Sequence, residues 1–156
     1  MNKQKYPSQT KEYRQRYTGL YGSWYAVKQR CGNPNNLAYK NYGGRGIQYD
    51  IAWESFVSFK ADMEIGYKKG LTLERIDNNA GYSKENCRWA TRKENNNNKR
   101  SNIVLEFKGK KMTAAYWAEY LGIPFDVLRS RYYRGFPIEK ILNPKKMNRY
   151  GYLYNF

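Results

Sequence analysis

Leu20, Trp24, Val27 and Cys31 recur at intervals of four, three and four residues, which puts them along one face of a helix. Gly32, Asn33, Pro34, Asn35 and Asn36 follow and end it. Tyr42-Gly43-Gly44-Arg45-Gly46-Ile47 must turn sharply around its three glycines. Trp53, Phe56, Val57 and Met63 predict a second helix. Residues 71–76 (LTLERI) then alternate in strand fashion, and Cys87 to Thr91 reads as a second short strand. Between them, Asp77 to Asn86 is polar and turn-rich, a long loop within a ββ unit. A helix is expected from about Arg92, through the run Asn95–Asn98, to Lys99 or Arg100. Four consecutive asparagines are poor helix formers, so their presence there calls for a local reason.

The pattern changes after Ser101-Asn102. Ile103 to Phe107 and Lys111-Met112 predict a small hairpin turning at Lys108-Gly109-Lys110. Thr113 can cap a helix running through Leu121, with Trp117 and Leu121 four apart. Gly122-Ile123-Pro124 makes a tight turn, and a second helix reaches Arg134 with Val127, Leu128 and Tyr132 expected inward. Gly135 stops it, and Pro137 opens a last turn over Ile138 to Leu142. Helix, short turn with Gly and helix is the helix-turn-helix pattern. The expected fold class is α+β. Its divisions are a basic arm at 1–17, a first domain at 18–102, a helix-turn-helix module at 103–143 and a basic, Tyr-rich tail at 144–156.

Composition narrows the function classes. The chain has 156 residues and a formal charge of +16, the balance expected of a protein whose partner is a polyanion. Aromatic residues make up 17% of it, too many for a disordered basic chain. Histidine is absent, which removes Ser-His-Asp triads, Cys-His dyads and His general bases. Cys31 and Cys87 form no CxxC pair, so neither zinc nor a disulfide scaffold is expected. No stretch approaches the ~18 apolar residues of a membrane span, and the first residues carry no apolar signal core. The expectation is a cytoplasmic protein without a membrane partner.

One segment carries specific chemistry. Glu74-Arg75-Ile76-Asp77-Asn78 is followed by Glu85-Asn86-Cys87-Arg88-Trp89-Ala90-Thr91, and Asn95 lies nine residues beyond Asn86. This spacing resembles the ββα core of the HNH homing endonucleases of the phage and intron-encoded type, over about residues 18–102. The YGGRGI segment is a frequent companion in phage proteins of that kind. The resemblance implies a site of Glu74, Arg75, Asn86 and Asn95, with Glu74 and Asn95 at the metal-ligand positions. As hard oxygen donors, these two suit Mg²⁺ or Mn²⁺ and no small-molecule cofactor.

Arg75 stands where the family carries its general-base histidine. Arginine stays protonated near neutral pH, so it can clamp a phosphate but cannot take a proton from water. The plain alternative is that Glu74 and Arg75, on opposite faces of a strand, are both solvated surface.

Residues 103–143 resemble the small DNA-binding modules appended to phage homing endonucleases. The implied partner is double-stranded DNA, bound by a monomer. In the first domain Arg45, Arg88, Arg92, Lys93, Lys99 and Arg100 are the expected contacts; in the second they are Lys108, Lys110, Lys111, Arg129, Arg131 and Arg134. Two functions follow from the resemblance. One is a metal-dependent endonuclease, a nickase because two modules on one asymmetric site make one cut. The other is an HNH-derived DNA-binding protein without catalysis, acting as a phage regulator, a repressor or a factor on a host system.

Overall fold

The computed structural model describes Lys11 and residues 17–145. The expected arm and tail, apart from Lys11, Tyr17, Pro144 and Lys145, lie outside the described residues. The chain is α+β, with two separate two-stranded antiparallel sheets among the helices of the described residues. It divides into two compact units, Met1–Asn98 and Lys99–Phe156.

In the first unit, helix α1 spans Thr18–Gly32 and buries Leu20 and Val27, with Trp24 and Cys31 packed partly against the same core. The glycine turn follows as a short 3₁₀ segment, Gly43–Arg45. A side chain at Gly43 would put its Cβ 2.1 Å from the Cys31 carbonyl oxygen, so only glycine lets this turn lie against the end of α1. Gly46 takes the left-handed conformation, at φ 79°.

The second expected helix is broken in two. Asp50 caps a 3₁₀ turn over Ile51–Glu54, and Ser55, accepting from the Val57 N–H at 3.2 Å, starts α2 at Phe56–Met63. That restart puts Phe56, Phe59 and Met63 inward at i, i+3 and i+7 and leaves Val57 exposed. Trp53 and Phe59 are wholly buried and meet edge to face, with ring centroids 4.8 Å apart.

Strands β1 (Thr72–Arg75) and β2 (Cys87–Ala90) pair antiparallel, with Leu73 opposite Trp89 and Glu74 opposite Arg88. Alternation gives the hairpin two faces. Leu73, Cys87 and Trp89 pack on the aromatic core. Thr72 and Glu74 lie on the other face, against which helix α3 (Arg92–Asn97) packs. Thr91 and Glu94 cap α3 reciprocally, side chain to backbone in both directions.

In the second unit, β3 (Val104–Phe107) and β4 (Lys110–Thr113) are joined by Lys108 and Gly109, both at positive φ (48° and 72°). Two such residues are what a type I′ hairpin turn needs. Thr113 caps α4 (Ala114–Leu121) by accepting from the Tyr116 N–H. Helix α5 (Phe125–Tyr133) and the short α6 (Ile138–Ile141) follow. Trp117 Nε1 donates to the Leu105 carbonyl at 3.0 Å, tying α4 to the hairpin over a core of Leu105, Trp117, Ile123, Leu128 and Ile141.

The inward line of α5 differs from expectation: Leu128 and Arg131 face the core, while Val127 and Tyr132 are exposed. Leu128 and Arg131 lie three apart and so share a face, and the guanidinium at the second position donates through both Nη1 and Nη2 to backbone carbonyls.

Candidate functional site

The loop from Asp77 to Asn86 is held at both ends. Asn86 Oδ1 accepts from the Asp77 N–H at 2.8 Å, and its Nδ2 donates to the carbonyls of Asp77 (3.1 Å) and Gly81 (2.7 Å). One amide side chain thus replaces the backbone pairing that the loop lacks. Midway, Tyr82 turns into the core and bridges to the segment after the glycine turn. Its N–H donates to the Gln48 carbonyl, and its carbonyl accepts from the Asp50 N–H, both at 2.8 Å.

The asparagine run on α3 also has its reason. Asn95 Nδ2 donates to Thr72 Oγ1 at 3.0 Å, and Asn98 Nδ2 donates to the Arg75 carbonyl at 2.6 Å. Asn78, at the start of the loop, donates to the Asn98 carbonyl. Residues that weaken a helix are here the groups that tie α3 to β1, since a short amide reaches backbone that a longer side chain would overshoot.

Glu74 and Arg75 are both buried, at 3% and 6% exposure, so neither is the solvated surface residue of the plain alternative. Glu74 Oε2 accepts from Arg88 Nε at 2.9 Å, while Oε1 is buried without a hydrogen-bond partner. Arg88 keeps half of its side chain in solvent, so it neutralises Glu74 from the outside. A buried acceptor with no donor is uncommon enough to call for an explanation.

Glu74 Oε1 on β1 and the Asn95 amide oxygen on α3 are the two hard oxygen donors that the resemblance singles out, with Asn95 bonded to Thr72 two residues before Glu74. Donors of this kind would suit Mg²⁺ or Mn²⁺ as minority ligands, with phosphate and water oxygens completing the shell. Among the described residues no three His, Cys, Asp or Glu side chains gather as a metal site.

Arg75 does not project beside Glu74. Its guanidinium lies 5.0 Å from the ring centroid of Tyr42 and 4.8 Å from that of Tyr82, and Nη1 donates to the Ala80 carbonyl at 2.9 Å. The expected phosphate clamp is therefore a brace beneath the loop, packed on aromatic faces. Strand alternation is the physical reason: the residue after Glu74 must point to the opposite side of the hairpin. Burial pushes the Tyr82 phenol and the Cys87 thiol up to about 12, so neither supplies Arg75 with a negative charge at pH 7. Composition and spacing pointed to neither Tyr42 nor Tyr82; the only signal was the aromatic residue beside each of two glycines, in Tyr42-Gly43 and Gly81-Tyr82.

The expected contact residues divide. In the first unit, Arg88, Arg92 and Lys93 are exposed on β2 and α3, and Arg45 donates to the Asn41 carbonyl and to Asn79. Lys99 and Arg100 are exposed in the second unit. There, Lys108, Lys110 and Lys111 line the exposed hairpin, with Lys110 donating to the Tyr120 hydroxyl at 3.0 Å. Arg129 is exposed and pairs with Asp126 at 3.1 Å; Arg134 is exposed at the end of α5, 4.7 Å from the Phe136 ring centroid.

Arg131 differs from its expected role as a DNA contact. It is 6% exposed, and its guanidinium donates to the carbonyls of Lys140, Ile141, Asn143 and Lys145. On α5 the face opposite Leu128 carries Asp126, Arg129, Ser130 and Tyr133. No helix among the described residues is long and apolar enough to cross a membrane. No family model, no curated protein and no solved structure matches the chain.

Proposed function

We propose that this chain binds double-stranded DNA as a monomer and descends from the HNH homing endonucleases. The hairpin, loop and α3 of the first unit form the HNH-like ββα element, and α5 of the second unit is the major-groove reader. One observation carries the reading: Glu74, Asn86 and Asn95, singled out by spacing, fall on a single hairpin–loop–helix, where Asn86 closes the loop and Asn95 reaches β1. Charge supports it from both sides. Each unit carries a net +8, with 17 Lys and Arg against 9 acids in the first and 12 against 4 in the second.

A second reading, a Mg²⁺- or Mn²⁺-dependent nickase, is favoured by the unpartnered Glu74 Oε1. In that reading Glu74 and Asn95 hold the ion, which would supply charge neutralisation at the scissile phosphate. Arg75, drawn under the loop, takes no part in proton transfer. Binding without catalysis is the first reading because the chain offers no general base at the histidine position.

Binding to duplex DNA, followed by fluorescence anisotropy, should weaken steeply with salt. For ~6–10 phosphate contacts the loss is roughly 10³–10⁵-fold between 50 and 200 mM. A flat response would overturn the DNA reading. Nicking of supercoiled plasmid with Mg²⁺ or Mn²⁺, lost in Glu74→Ala while binding persists, would establish the nickase instead.

A further inference from the structure

Two arginines lie against the ring of Tyr42 without a counter-charge. Arg30, near the end of α1, lies 5.5 Å from the Tyr42 ring centroid, and Arg75 lies 5.0 Å from it. No ion pair among the described residues involves either. The groups around them do not supply one: burial raises the Cys31 thiol as it raises Tyr82 and Cys87, so all three are uncharged at pH 7. Two half-buried or buried cations with no anion between them leave a positive potential that an anionic ligand relieves.

Arg30 also lines a cleft of about 350 Å³ between α1 and β1. That volume is at the small end of ligand pockets, which run from about 300 to 1,000 Å³. None of its lining residues is acidic. Leu73 and Val27 give it an apolar floor, and Gly22 leaves the α1 wall open. Its polar groups are directional. The Ser23 hydroxyl donates to the Gly19 carbonyl and the Thr72 hydroxyl to the Ala90 carbonyl. Asn95 donates its amide N–H to Thr72, which leaves its Oδ1 as an acceptor. Arg30, whose guanidinium also hydrogen-bonds Tyr82, is the cation among the cleft's lining residues, and Ser23 and Asn95 add acceptors beside its apolar side chains. Its complement is a flat body with an anion at one end and an amino group at the other.

We propose that this cleft binds a nucleoside monophosphate, with the phosphate at Arg30 and the exocyclic amino group of the base at Asn95. The ligand is either a free nucleotide or a nucleotide turned out of a DNA strand. The site goes beyond the duplex-binding reading and does not rest on it, since the cleft and its charge stand whatever the second unit does.

Calorimetric titration of the full chain with dAMP tests it, beside deoxyadenosine, inorganic phosphate and TMP, which lacks the amino group. dAMP should bind saturably and at least tenfold more tightly than the other three. Arg30→Gln should weaken dAMP at least tenfold. Gly22→Leu should abolish binding by filling the cleft. A Cβ at Gly22 meets nothing within 4 Å, and leucine favours a helix over glycine, so this variant should keep or raise the melting temperature.

If dAMP does not saturate in the millimolar range, or if phosphate alone binds as well, the proposal fails. It fails equally if both variants bind like wild type. Competition with duplex DNA then tells the sources apart: displacement of dAMP marks a strand nucleotide, and independent binding marks a free one.

Discussion

Arg129 and Arg131 stand two residues apart on α5, yet substitution should separate them completely. Arg131→Met keeps the aliphatic stem and removes the guanidinium. Nη1 donates to Lys140 and Ile141 at 3.4 and 3.3 Å, long contacts, and more closely to Asn143; Nη2 donates to Lys145 at 2.8 Å. Counting only the two close bonds, at about 1.5–3 kcal/mol each for a charged donor, gives about 3–6 kcal/mol. Burial works against this by disfavouring the charged form, which lowers the Arg131 pKa, and the freed carbonyls partly rehydrate. A net loss of about 2–4 kcal/mol remains, within the range of large single-substitution effects.

At about 4–8 °C per kcal/mol for a domain of this size, the second unit should melt at least ~8 °C lower. Arg129→Met breaks an exposed pair with Asp126, worth about 0.2–1 kcal/mol, and an exposed contact with the Phe125 ring 5.8 Å away. It should leave the melting temperature nearly unchanged and weaken DNA binding. Thermal unfolding by circular dichroism, with anisotropy on the same samples, reads both. Were Arg131→Met to melt like wild type while losing DNA affinity, the buried assignment and the orientation of α5 would both be wrong.

Arg75→His would install the residue type that the HNH enzymes carry, but not in the place that the resemblance implies. The imidazole would fall beneath the loop between Tyr42 and Tyr82, so we expect a less stable first unit and no gain in plasmid nicking; a nicking rate above wild type would show that the position reaches the phosphate. Stability should be flat from about pH 5 to 8, since the chain has no histidine. On the alkaline side the raised Cys87 and Tyr82 groups stabilise fully below their unfolded values of about 8.5 and 10, and that contribution is lost as pH climbs towards 12. On the acid side Glu54, held low by hydrogen bonds from Lys28 and Tyr49, loses its contribution as pH falls below the ordinary glutamate range. Urea midpoints across pH 4–11 check this, and a transition between pH 6 and 7 would contradict it.

Local patterns determined most of the elements. The spacing of Leu20, Trp24, Val27 and Cys31 placed α1, alternation placed β1 and β2, and Thr113, Gly122 and Pro137 marked the turns of the second unit, because caps and periodicity act within a few residues. The break at Ser55 was not legible: a polar residue inside an apolar run reads as an exposed helix position until its hydroxyl is seen capping α2. The site was legible as spacing only. That Asn86 closes the loop is visible only in its bonds to Asp77 and Gly81. Which arginines face solvent was no more legible, because a guanidinium looks the same in a sequence whether it ends in water or on backbone carbonyls. Arg75 and Arg131 were turned inward by strand alternation and by the face shared with Leu128, with partners supplied by Tyr42, Tyr82, Ala80 and the turn after α6. Those partners lie from five to thirty-three residues away along the chain, and only tertiary packing brings them within hydrogen-bonding or ring-contact distance.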